Sequence, residues 1–132
     1  MNSYEEWLKR AYSSLELAKF SDNKSVYYED LCFQAQQAVE KGLKGLLIFY
    51  GVEPEKTHSL FVLLQALEEH TEINDDIKEV LKLYNFAVQT RYPGEYVIIE
   101  KEEYEQCIVI AERCLKWIEK IINNNKNTQK KM

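Results

Sequence analysis

Residues 26–50, VYYEDLCFQAQQAVEKGLKGLLIFY, contain no proline and place apolar residues at helical spacing for about 25 positions. Set at about 100° per residue, the apolar arc runs from Gly45 through Ala38, Gly42, Ala35, Leu46, Val39 and Leu43 to Leu47. It covers about 200°, against roughly 100° for an ordinary surface helix. Along one edge Ala35, Ala38, Gly42 and Gly45 form a stripe of small side chains. Each interior glycine costs about 1 kcal/mol relative to alanine. Close approach of another backbone is the expected compensation, either within the fold or across a dimer. The other side, with Gln37, Glu40, Lys41 and Lys44, reads as a solvated surface. Dimerisation through the broad apolar face is a further expectation.

The rest of the chain has the same character. Ser3 with Glu6 makes a capping box, after which Tyr4, Trp7, Leu8, Ala11, Leu15 and Ala18 share one helix face. Gly51 caps the second helix and Pro54 follows it. A third helix carries Leu60, Leu63, Leu64 and Leu67. A fourth starts at Asn74 or Asp75 and is striped by Ile77, Val80, Leu81, Tyr84, Ala87 and Val88, ending at Pro93. The last, from about Glu100 to Ile122, repeats Tyr104, Cys107, Ile108, Ala111, Cys114, Leu115, Ile118 and Ile122. The stretch YVII at 96–99 is too short for a strand and has no partner. An all-α, up-and-down bundle of four to five helices is expected over 1–122, with 123–132 a polar flexible tail.

At 132 residues and 45% hydrophobic content the chain can bury one core. A net charge of −5 argues against a protein that coats nucleic acid, whose footprint is a basic face. The first ten residues lack the pattern of a signal peptide, and no apolar run approaches a membrane span. A cytoplasmic location is expected. Cys107 and Cys114, seven apart on one helix, stand about 10 Å from each other, beyond disulfide reach. With Cys32 they read as buried reduced thiols. Neither a zinc nor a redox spacing is present, so no metal or cofactor is expected.

Chemistry-bearing residues are few. His58, in EKTHSL, can move a proton near neutral pH or simply cap a helix start. His70 stands near a helix end, and the acidic groups Glu68, Glu69, Glu72, Asp75 and Asp76 read as solvated. Arg91 falls where the fourth helix's apolar stripe should continue. It either caps that helix or, with Tyr84, Tyr92 and Tyr96 nearby, offers a cation and aromatic faces to a phosphate or nucleotide.

The run CFQAQQAVEKGLKGLLIFYG (32–51), then THSL (57–60), then RYP (91–93) and a final long helix, resembles the HEPN domain over about residues 4–122. The resemblance implies a small helical homodimer, often paired with a minimal nucleotidyltransferase, including in toxin–antitoxin modules. Many members resemble one another in being metal-independent ribonucleases that carry an arginine, four to six residues, then a histidine. In that chemistry histidine moves a proton and arginine stabilises charge on the phosphorus centre.

Arg91 matches the arginine, but positions 96, 97 and 98 hold Tyr96, Val97 and Ile98. A tyrosine, ordinarily titrating near 10, is a poor base at neutral pH. The resemblance also implies that a partner nucleotidyltransferase modifies a tyrosine near the arginine, making Tyr96 or Tyr92 the candidate. The leading expectation is a module that binds a nucleotide or RNA phosphate through Arg91, Tyr92 and Tyr96. The alternatives are a ribonuclease using Arg91 with a substitute such as His58, and a plain helical adaptor.

Overall fold

The structure is a computed structural model that describes residues 3–86 and 98–131. It is an all-α bundle with α1 (Tyr4–Ala18), α2 (Tyr28–Phe49), α3 (Leu60–Glu68), α4 (Asp75–Lys78) and α5 (Lys101–Lys131). A 3₁₀ segment (Glu79–Phe86) continues α4, and no strand occurs among the described residues. No helix among them is long and apolar enough to cross a membrane.

Local chemistry sets the helix ends. Ser3, Ser59 and Asn74 each turn a side-chain oxygen back to accept from a backbone N–H of the first turn. Gly51, at φ 81°, ends α2 with its N–H on Ile48 O, while Val52 N–H reaches Leu47 O. No glycine or proline follows Ile122, and α5 accordingly runs on to Lys131 rather than ending there as the sequence reading had it.

α2 lies at the centre, packed against α1, α3, α5 and the 3₁₀ segment. Ala35, Ala38, Val39, Leu43 and Leu46 are all fully buried on it. The small-residue stripe does its work inside the chain. A Cβ on Gly42 would stand 2.5 Å from Leu115 Cδ2 and 3.0 Å from Ile118 Cδ1 of α5. One on Gly45 would meet Trp7 Cβ of α1 at 3.1 Å. The face expected to mediate dimerisation is thus consumed by α1 and α5.

α1 and α5 run antiparallel. Tyr104 Oη donates to Ala18 O at 2.6 Å at one end, and Lys126 lies over the Tyr4 ring, 5.3 Å from its centroid, at the other. Tyr104 also stacks on Tyr28 at 4.9 Å, joining the start of α2 to the same corner.

The fourth helix departs from the sequence reading. After four α-helical residues the chain tightens to three residues per turn, so the buried line becomes Ile77, Val80 and Leu83, with Phe86 half-buried. Leu81 is only half-buried and Tyr84 is 68% exposed, although an α-helical stripe would have put both inward.

All three cysteines are free and buried. The Cys32 and Cys107 thiols share a hydrogen bond, which pushes Cys32 up and Cys107 down. Burial alone pushes Cys114 up to about 12. An unfolded cysteine ionises near 8.5. Cys114 therefore contributes stability that is complete below about pH 8.5 and is lost as pH rises towards about 12. Its share should fall by at most about 1.4 kcal/mol per pH unit in that window. Urea midpoints taken from pH 8 to 11 should decline less steeply in Cys114→Ala than in the parent.

Candidate functional site

On α2, Gln36, Glu40 and Lys44 recur every fourth residue and form one line of side chains. All three are buried, Glu40 at 5% and Lys44 at 9% exposure, which corrects the reading of Glu40 and Lys44 as solvated. Glu40 uses both carboxylate oxygens. Oε2 accepts from Lys44 Nζ at 3.0 Å, and Oε1 lies 3.0 Å from Nδ1 of His58. Gln36 Nε2 donates to Glu40 Oε1 and to the His58 carbonyl, each at 3.4 Å. Lys44 is backed by the Trp7 ring, 5.8 Å from its centroid. Gln36 Oε1 is buried without a hydrogen-bond partner among the described residues.

Lys41, also expected in solvent, is half-buried and donates to Ser14 Oγ at 2.9 Å. Burial lowers its pKa, with Glu40 opposing and Arg10 adding to that fall.

His58 does not cap α3. Ser59 does, through Val62 N–H, and the Thr57 hydroxyl accepts from Ser59 N–H. Those two short-range bonds fix the loop so that the His58 ring reaches back to α2. Its side chain is 73% exposed while its partner carboxylate is 7% exposed. With Nδ1–H donating to the Lys44-paired carboxylate, a neutral ring carries its free lone pair on Nε2. A ring held at one nitrogen and open at the other can accept a hydrogen bond or relay a proton.

Beside it lies an open groove of about 580 Å³ lined by His58, Ser59, Leu60, Phe61, Leu81 and Tyr84. Tyr84 reaches it because of the 3₁₀ winding. Among the sequence-predicted site residues, the structure thus brings His58 together with Tyr84. Arg91, Tyr92 and Tyr96 lie outside the described residues. His70 stacks on Tyr50 at 5.1 Å, a packing contact. No group of three or more His, Cys, Asp or Glu arranged to hold a metal ion occurs among the described residues.

Sequence reasoning missed the Glu40–Lys44 pair, though a signal was present. On the helix wheel Glu40 lies only about 20° beyond Leu47, the last member of the apolar arc, and a charge so close to buried leucines needs a partner.

The HEPN domain family model matches residues 4–121. The chain belongs to the HEPN family. A curated relative from Methanocaldococcus jannaschii, "Putative toxin MJ1304", is 30% identical over 128 residues, covering 85% of this chain and 83% of the relative. Two crystal structures superpose on this HEPN domain, each at 31% identity. The Thermus thermophilus protein TT1696 matches at a TM-score of 0.77, over 91% of this chain and 98% of the other. ST0689, an archaeal HEPN homologue, matches at 0.64, over 92% and 99%. The expected family and fold are therefore both found.

Proposed function

We propose that this HEPN protein is the toxin-like member of a toxin–antitoxin-type pair. In this reading it is a homodimer that binds a nucleotide or an RNA phosphate through Arg91, Tyr92 and Tyr96, beside a minimal nucleotidyltransferase partner that modifies Tyr96. The observation that carries the reading is the similarity, along most of both chains, to a relative named as a toxin. The departure at position 96, tyrosine where the ribonuclease motif has histidine, favours binding over cleavage.

A second reading has one specific observation in its favour. His58 is held at Nδ1 by Glu40 and exposed at the other nitrogen, the arrangement a proton-transfer group requires. Under it, Arg91 stabilises phosphorane charge and His58 supplies the missing acid–base group.

RNA cleavage in EDTA separates the two, run with the parent, Arg91→Ala and His58→Gln. The binding reading expects no cleavage by any of them. It also expects ATP affinity to fall about tenfold or more in Arg91→Ala, the loss of one charge-assisted phosphate contact. Cleavage that disappears in both variants would establish the ribonuclease instead. Unchanged ATP affinity in Arg91→Ala, without cleavage, would overturn both.

A further inference from the structure

The groove beside His58 combines three features that ordinary surface does not. Phe61 and Tyr84 line it and remain 55% and 68% exposed, two large aromatic side chains left in water at one place. Between them the lining is aliphatic, from Leu60 and Leu81. Its polar lining comes from His58, Ser59 and Tyr84; Ser59 Oγ already accepts from Val62 N–H, and His58 Nε2 is an acceptor when Nδ1–H donates to Glu40. Aromatic faces, an apolar floor and an acceptor held in place by Glu40 match a nucleobase that carries an exocyclic amino group. The faces stack on its ring, and Nε2 accepts from its amino hydrogen. The volume, about 580 Å³, falls in the range of small-ligand sites.

We propose that this groove is a nucleobase-binding site, with Tyr84 and Phe61 as stacking platforms and His58 as the group that reads an amino-bearing base such as adenine. The proposal rests on the reading that the protein binds nucleotides or RNA, and adds a seat for the base separate from the phosphate contact assigned to Arg91. A protein partner would also cover apolar surface, but such a partner would not need an oriented acceptor. Here a buried Glu40–Lys44 ion pair, with Gln36 donating to Glu40 and Trp7 behind Lys44, holds the exposed His58 ring by its Nδ1. Taking those charges out of water is costly, and apolar packing alone would not require it. Glu40 is the positioning residue, since it holds the ring and does not line the groove.

Adenosine, a base without a phosphate, is the probe. Titrated into the ¹⁵N- and ¹³C-labelled full chain, it should shift the His58 ring resonances and the Phe61 and Tyr84 signals together. Tyr84→Ala should weaken adenosine binding at least about fivefold, the lower end for loss of one stacking partner. His58→Gln should weaken it and narrow the preference for adenosine over uridine. Arg91→Ala should leave adenosine unchanged. Tyr84 and Phe61 are exposed, so their variants should keep the parent's urea midpoint, which confirms that the fold is intact.

Adenosine binding that ignores Tyr84, Phe61 and His58, or no adenosine binding alongside Arg91-dependent ATP binding, would overturn the groove and leave the phosphate reading standing. Groove-dependent adenosine binding with ATP affinity indifferent to Arg91 would do the reverse. A drop from dimer to monomer in Tyr84→Ala with adenosine binding unaltered would mean that a second copy of the chain covers the groove, and would overturn the base site.

Discussion

Replacing Glu40 with alanine should destabilise the folded chain by about 3–5 kcal/mol, the cost of leaving one member of a buried ion pair without its partner. Lys44, 11% exposed at its side chain, would be left against the face of Trp7 without its counter-charge. Gln36 would lose one of its two acceptors, and His58 would lose the contact that orients its ring. Urea unfolding followed by circular dichroism reads the effect directly. A loss below about 1 kcal/mol would be that of a solvent-screened pair and would contradict the burial described above. The double change Glu40→Leu with Lys44→Met removes both charges at once and should recover most of the loss, because well-packed apolar side chains often replace a buried pair without penalty. It cannot restore the His58 contact. The double variant should therefore be stable while its His58 ring is released, which separates what the network does for folding from what it does at the groove.

Gly42→Leu should be of similar severity for a different reason. Even the first added carbon would stand 2.5 Å from Leu115 Cδ2 and 3.0 Å from Ile118 Cδ1, and both of those side chains are fully buried. Overpacking a filled core costs about 1–3 kcal/mol, and more when several carbons must be accommodated. Gly42→Ala sets about 1 kcal/mol of helix propensity gained against that clash, so it should lie between neutral and modestly destabilising. The concentration dependence is diagnostic. A defect in the contact between α2 and α5 lowers stability equally at all protein concentrations. Damage to a dimer face would recede as concentration rises. The expected outcome is the first, with the drop in unfolding midpoint of Gly42→Leu below the parent the same at every concentration.

The helices were legible because their apolar periods and caps are local. Ser3, Gly51 and Asn74 each act within a few residues of themselves, and the arc of α2 was wide enough to show that the helix is largely enclosed. What enclosed it was not legible. The small-residue stripe is compatible with either a neighbouring helix or a second copy, and only the packing of Leu115 and Trp7 onto Gly42 and Gly45 distinguishes them. The 3₁₀ winding was missed because Ile77 and Val80 suit both windings, and the two separate only from Leu81 onward. The site was the least legible part. His58 was visible as a candidate, but its partner is 18 residues away on another helix, joined by a contact that no spacing rule encodes. From the sequence Glu40 and Lys44 face water, because charge usually implies solvent. That rule fails where two opposite charges one turn apart can satisfy each other.

The winding of residues 79–86 also sets a length. Eight residues of 3₁₀ helix advance about 4 Å further than the same eight wound as α-helix. Rewound as α, the segment would turn Leu81 and Tyr84 inward and carry Leu83 and Phe86 away from the core. The aromatic wall beside His58 would then be dismantled without a single substitution. The groove is in this sense a property of helical pitch as much as of residue identity. Deleting Glu79 would rotate everything after it by about 120° and close the groove while leaving each of its six lining side chains in the sequence.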